Sequence, residues 1–326
     1  MIITRTPLRI SFAGGSTDLP SFYRTHGGGA VTSAAIDRYI HVLVNPKFER
    51  SIRVAYSRTE NVDRVEDVQH PLVREAMKIA GVHGAVEIHS IADIPGEGTG
   101  LGSSSTFTVG LLNALHAYRG VLKGPGELAE EACRIEIDTL GGALGKQDQY
   151  IAAFGGVDYF EFRPDETVRT APIPLTGAER EGLSDHLSLF YTGTTRRAEG
   201  ILQAQSARTA TNKESLVRMR ELAQVARDAI VGRDFARLGA VLDEGWQLKR
   251  GLTAGISNDA IDDRYARAKA AGAWGGKITG AGGGGFLLVI HPTERSRQIA
   301  DALSPMERLS VRIVPEGSRI LFVDRK

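Results

Sequence analysis

Pro95-Gly-Glu-Gly-Thr-Gly-Leu-Gly-Ser-Ser-Ser-Thr106 is the stretch from which the rest of this 326-residue chain is read. Glycines at 96, 98, 100 and 102 remove four β-carbons, so the backbone can take positive φ and press its N–H groups against a ligand. Residues 85–91, just before it, read as a strand. After it, Phe107, Leu111, Leu115 and Tyr118 fall on one helical face. A glycine loop that opens a helix offers unpaired amides and the positive end of the helix dipole, which together suit phosphate oxygens. No Gly-Lys-Ser/Thr follows, so this is not a Walker A loop, nor is it the dinucleotide fingerprint. Taken alone, the segment could equally be a plain loop in which Ser104 or Ser105 caps the helix.

Downstream, Glu136 stands late in a helix that Gly141 and Gly142 should end, and Asp148 falls near the start of the next short helix. Phosphoryl transfer calls for a hard cation such as Mg²⁺ beside the phosphates and a carboxylate to take the attacking hydroxyl's proton. By spacing alone, Glu136 and Asp138 are solvated helix-face charges and Asp148 is a first-turn residue favoured by the dipole. Two further glycine turns change that balance. Gly275-Gly-Lys-Ile-Thr-Gly-Ala-Gly-Gly-Gly-Gly285 precedes the apolar run FLLVI, and so many glycines are entropically costly unless the turn approaches a ligand or packs on the first loop. Gly14, Gly15, Ser16, Thr17 and Asp18 leave the first strand, where Ser16 and Asp18 could meet sugar hydroxyls or simply form a turn. Three such turns in one chain point to a site.

Strands are expected at residues 8–13, 39–44, 52–56, 85–91, 157–162, 187–191, 286–290, 310–314 and 319–323. Helices are expected along the stripe from Leu216 to Ile230 and over 259–271 and 293–303. The alternation in residues 8–13 puts Arg9, Ser11 and Ala13 on one face. A loose, proline-punctuated stretch at 163–186 divides the chain into 1–175 and 176–326. Strands and helices mix without a regular βαβ alternation, so the fold class is α+β.

Forty basic against 39 acidic residues leave a net charge of +1, too little to hold a nucleic acid or an anionic membrane by field alone. One cysteine, Cys133, rules out an internal disulfide and reads as a buried hydrophobe. The eight histidines show no metal-ligand spacing. With no signal peptide and no long apolar run, a cytoplasmic protein is expected.

The ordered set PLRISFAGGSTD, IPGEGTGLGSSS and KITGAGGGG resembles the three motifs of the GHMP kinase superfamily, across nearly the whole chain. That resemblance implies an N-terminal domain like domain 2 of ribosomal protein S5 and a ferredoxin-like α+β C-terminal domain. ATP would lie in the cleft between them. It implies that Gly96, Gly98, Gly100, Leu101, Gly102, Ser103, Ser104 and Ser105 wrap the ATP phosphates, and that Ser104 and Glu136 hold Mg²⁺. Asp148 would be the base and Arg9 its cationic neighbour. Galactokinases carry Gly-Glu-His-Thr-Asp where this chain has Gly14-Gly-Ser-Thr-Asp18.

Within the superfamily, ALGKQDQYIAAFGG, YTGTTRRA and GWQLKRGLTAGISN are similar to bacterial heptose-phosphate kinases. The implied acceptor is the anomeric hydroxyl of D-glycero-D-manno-heptose 7-phosphate, on the way to nucleotide-activated heptose for surface polysaccharide. Implied acceptor-side residues are Ser11, Gly14, Gly15, Ser16, Thr17, Asp18, Lys146, Gln147, Thr192, Gly193, Arg196, Arg197 and Gly282. A distal phosphate needs cations, for which Arg196 and Arg197 lead and Lys249, Arg250 and Lys146 follow. Other readings stay open: a kinase for L-fucose or another hexose, and a sugar- and ATP-binding regulator without turnover. The enzyme is expected as a monomer or homodimer.

Overall fold

The computed structural model describes residues 1–94, 98–195 and 199–324. Its first unit is an eight-stranded sheet built around one long strand. Strand β1 (Ile2–Ala13) lies antiparallel to β2 (Gly29–Pro46), with register shifts at Pro7/Leu8 and Ser11/Ala13. β2 then serves two neighbours. Its first part, Gly29 to Ala34, pairs with β6 (Val157–Phe162), and its later part, Ile40 to Pro46, pairs with β5 (Val86–Ala92). Strands β3 (Ile52–Ala55) and β4 (Thr59–Val62) extend one edge, and β7 (Val168–Pro172) pairs with β6.

Five helices belong to this half: α1 (Pro20–Tyr23), α2 (Pro71–Ala80), α3 (Ser103–Tyr118), α4 (Pro125–Cys133) and α5 (Gln147–Phe154). Helix α3 is buried along almost its whole length because it lies on β1 and β2 with α2, α4 and α5 around it. An apolar sequence without a polar face is what such a position selects. Helix α4 runs on into a wider π-helical turn, Arg134–Thr139, which carries Glu136.

The second unit comprises α6 (Gly177–Asp185), β8 (Leu187–Tyr191), α7 (Glu199–Ala207), α8 (Lys213–Val231), α9 (Phe235–Arg250), α10 (Asp259–Ala270), β9 (Gly275–Ile278), β10 (Phe286–Ile290), α11 (Ser296–Ala302) and β11 (Arg308–Leu309). The strand order β11-β8-β10-β9, all antiparallel, is the ferredoxin-like arrangement. Residues 310–314 do not form the expected strand. They bridge the two halves instead, pairing Ile313 with Ile36 and sending the amide of Val314 to the carbonyl of Ala35 at 3.1 Å.

The closing strand β12 (Arg319–Val323) crosses back and pairs antiparallel with β1, so it lies in the first sheet. The halves are joined by more than this strand. Leu222, Ala226, Leu238 and Leu242 of α8 and α9 share one apolar core with β1 and β2. Helices therefore cover β1 on both faces, which is why Leu8 and Arg9 are both buried despite pointing opposite ways.

Candidate active site

A cleft of about 460 Å³ opens where the glycine turns meet β1, α3, α5 and α9. Gly98, Gly100 and Gly102 take φ of +74°, +73° and +81°, the left-handed values that glycine permits without strain. The loop is locked against the second glycine turn. A β-carbon on Gly100 would stand 2.5 Å from the carbonyl oxygen of Thr279, and one on Gly280 would stand 2.6 Å from the α-carbon of Gly100. Gly280 and Gly285 pack on the first loop, whereas Gly282 and Gly284 make room for Ile256 and Thr194; Gly280, Gly282 and Gly284 also line the cleft. Ser103, Ser104 and Ser105 form the first turn of α3 and face the same space, so the free amides of this helix end point at it.

Arg9 reaches this point from β1. Its Nε donates to Oδ1 of Asp148 at 2.7 Å and its Nη2 to Oδ2 at 2.5 Å, a two-pronged ion pair, while Nη1 donates to the carbonyl of Gly100 at 2.5 Å. Gly102 makes room for the guanidinium, since a β-carbon there would press on Arg9 at 3.1 Å. The Arg9 side chain is 5% exposed and that of Asp148 23%, so the carboxylate is the member that meets the cleft. Asp148 owes its place to the first turn of α5.

Glu136 is buried beside them. Its Oε1 accepts from the Ser104 hydroxyl and its Oε2 from Nε2 of Gln149, both at 2.6 Å. Burial pushes its carboxyl above the usual range, and the hydrogen bonds from Ser104, Ser105 and Gln149 pull the other way. Asp18 is likewise buried, accepting from the amides of Ser16 at 3.1 Å and Gln147 at 3.2 Å. Burial raises its pKa, and the nearby Asp148 adds to the rise. The Gly145 turn sits so close over Asp18 that a β-carbon would overlap its Oδ2.

Family models match the chain as GHMP kinases N terminal domain over residues 68–156 and GHMP kinases C terminal over residues 226–306. A D-glycero-alpha-D-manno-heptose 7-phosphate kinase of Campylobacter jejuni is 31% identical over 313 residues, 90% of this chain and 91% of that protein. The chain belongs to the GHMP kinase family. An L-fucokinase/L-fucose-1-P guanylyltransferase of Bacteroides fragilis is 28% identical over 88% of this chain and 34% of its own length. The crystal structure of a D-glycero-D-manno-heptose 1-phosphate kinase from Bacteroides thetaiotaomicron superposes with a TM-score of 0.83, at 23% identity and full coverage of both chains. A putative sugar kinase structure from Campylobacter jejuni gives a TM-score of 0.78 at 27% identity, covering 98% of this chain and 97% of that one. The family and its kinase relatives make this chain an ATP-dependent phosphotransferase acting on a sugar or alcohol hydroxyl.

In this GHMP kinase the cleft gathers Arg9, Ser11, Gly15, Ser16, Asp18, Gly98, Gly100, Gly102, Ser103, Ser104, Ser105, Gln147, Asp148 and Gly282 of the residues singled out from sequence. Others lie elsewhere. Leu101 is a core residue whose carbonyl accepts from the amide of Arg9 at 3.0 Å. Gly14 is wedged against Ala30, where a β-carbon would overlap the carbonyl oxygen, and Thr17 turns inward to the carbonyls of Gly14 and Ala30. Lys146 pairs with Glu166 at 2.7 Å away from the cleft. Thr192 is buried against the carbonyl of Gly285 at 2.9 Å, and Gly193 has open space around it. Gly96, Arg196 and Arg197 lie outside the described residues.

Two lysines complete the site. Lys249, from the last turn of α9, lines the cleft, and Lys277, from β9, places Nζ 3.0 Å from the Ser11 hydroxyl and 2.9 Å from its carbonyl. Lys249 is one of the several cations expected near a distal phosphate, whereas Lys277, inside a glycine turn, carries no sequence signal of its own. Arg250 leaves the cleft to pair with Asp262 at 2.5 Å. Among the described residues no helix is long and apolar enough to cross a membrane.

Proposed function

We propose that this kinase transfers the γ-phosphoryl group of ATP to the anomeric hydroxyl of D-glycero-D-manno-heptose 7-phosphate. The observation that carries the reading is the Arg9–Asp148 pair set in one cleft with the amino end of α3 and the locked glycine loop. Kinship with the Campylobacter heptose 7-phosphate kinase over nine-tenths of the chain supports the choice of sugar.

Asp148 is the group that orients the attacking hydroxyl and receives its proton. The two-pronged contact from Arg9 fixes the plane of the carboxylate. An anomeric hydroxyl is more acidic than an ordinary alcohol, and a loose transition state asks for little proton removal early, so a strong base is unnecessary. The amides of the glycine loop and of the first turn of α3 hold the triphosphate and keep its terminal group in line with the acceptor. Ser104 and Glu136 fit Mg²⁺: they form a hard oxygen pair in which Glu136 has burial but no cation partner among the described residues. Bound there with the phosphates, Mg²⁺ would neutralise charge on the transferring group.

The test is ATP consumption by purified enzyme against heptose 7-phosphate, the unphosphorylated heptose, L-fucose, galactose and mannose. Turnover of heptose 7-phosphate at least tenfold above every other sugar supports the reading. Preference for L-fucose, the acceptor named for the Bacteroides fragilis relative, would move the chain to that branch of the family. Tight ATP and sugar binding without turnover would make it a regulator.

A further inference from the structure

Of the two cations that line the cleft, one is paired with a carboxylate and the other, among the described residues, is not. Arg9 is committed: three of its N–H groups go to Asp148 and the carbonyl of Gly100. Lys249 is different. It is 5% exposed yet lines the cleft, and among the described residues its ammonium donates only to the neutral carbonyl of Gly280 and makes no ion pair. A buried ammonium without a paired carboxylate is expensive, and the dipole at the C-terminal end of α9 offsets only part of that cost. The fold tolerates it because something anionic occupies the space in front of it. Gly280, which holds Lys249, is packed on Gly100, which holds Arg9, so the two cations stand beside the same interlocked turns.

We infer that the Lys249 ammonium is a direct contact for a substrate phosphate group, giving the site a second cation beside Arg9. The ligand class is an oxygen of a terminal phosphoryl group, whether anhydride-linked or a monoester. It can come from the γ-phosphoryl in flight or from a phosphate borne by the acceptor, and the juxtaposition of Gly280 with Gly100 favours the former. The inference rests on the proposed roles of Asp148 and the glycine loop in this cleft but not on the identity of the sugar. Burial, with Arg9 adding to it, drives the Lys249 pKa down to about 8, which is the direction expected of a cation waiting for an anion.

The experiment compares Lys249→Met and Lys249→Arg with wild type, using MgATP and whichever acceptor the wild-type panel turns over best. Methionine fills the same volume without the charge, so the variant should fold with an unchanged or higher Tm. The expected result is a fall in kcat of at least tenfold in Lys249→Met, with partial recovery in Lys249→Arg. If the loss is the same for phosphorylated and plain acceptors, the contact is to the transferred group. If instead KM rises at least tenfold for the phosphorylated acceptor alone, the contact is to the acceptor's own phosphate. Kinetics within threefold of wild type overturn the inference. So does a fall in Tm accompanied by loss of all substrate binding, because that marks a structural anchor for Gly280. A panel that selects another sugar removes the heptose reading while leaving this comparison intact.

Discussion

The Asp148 carboxylate is held in place by its cationic neighbour. Two Arg9 N–H groups fix both of its oxygens, leaving the cleft-facing side of the carboxylate for an acceptor hydroxyl. Asp148→Asn keeps the shape, removes the proton acceptor and leaves Arg9 with a neutral partner. We expect kcat to fall by about 10² to 10⁴-fold with the KM for ATP changed little, measured by steady-state kinetics on the preferred acceptor. A loss under threefold would remove Asp148 from the chemistry. Lys249 brings a pH limit to the same site. Its native pKa near 8 lies below the ordinary lysine value of 10.5, so the cation is present at neutral pH and disappears as the pH rises. The groups facing it are Arg9, Lys277, Asp18 and Asp148. For stability the sign is opposite: the native state disfavours the charged form, and that penalty is relieved as pH climbs from about 8 towards 10.5. Free-enzyme kcat/KM should therefore drop above about pH 8 while the protein does not unfold, and Lys249→Arg should carry that limb upward. A limb that stays put in Lys249→Arg would assign the titration to another group.

Two glycine turns meet backbone to backbone, and their interlock fixes the loop that lines the cleft. Gly280 takes φ of +63° with Gly100 in the way of any side chain. Gly280→Ala should thus cost about 2–4 kcal/mol in urea unfolding, combining the left-handed backbone with the clash, and should raise the KM for ATP. Gly193, at φ of +76° with nothing within 4 Å among the described residues, is the control: Gly193→Ala should cost only about 1–2 kcal/mol and leave the KM alone. These elements differ in how openly the sequence declares them. β6, β8, β10 and β12 stand where the apolar runs predict because glycines, prolines or charges bracket each of them. The first part of β2, Gly29 to Ala34, carries small residues with no alternation, because β1 and β6 flank it and both its faces are covered. The π-helical turn under Glu136 leaves no mark in composition, since it differs from an α-helix only in hydrogen-bond span. Arg9, Asp148 and Ser104 were legible through motifs. Lys277 was not, for a lysine reads as solvent-facing by default, and it is the packing of β9 on α9, with the bonds to Ser11, that buries it.

The whole molecule ties its site together through its last strand. β12 adds to the edge of β1, and Ser318 just before it reaches three elements at once. Its hydroxyl meets the Thr6 hydroxyl at 2.8 Å and accepts from Asn113 of α3 at 3.0 Å, while its amide donates to the carbonyl of Ala152 in α5 at 2.9 Å. The helices so joined are the two whose first turns present Ser104 and Asp148 to the cleft. Through these bonds Ser318 ties α3, α5 and β1 to the start of β12. Removing residues 318–326 should lower Tm by about 5–10 °C, because β1 loses a strand partner and α3 and α5 lose a common anchor. Activity should fall along with it, measured well below the new Tm. Ser318→Ala separates the two contributions, since it keeps the β12 ladder and the backbone bond to Ala152 while leaving Asn113 and Thr6 unpaired, at a cost of about 1–3 kcal/mol. If the truncated protein melts lower yet keeps full kcat, the strand stabilises the sheet without steering α3 and α5. A lowered kcat in Ser318→Ala at an almost unchanged Tm would locate the coupling in that one hydroxyl.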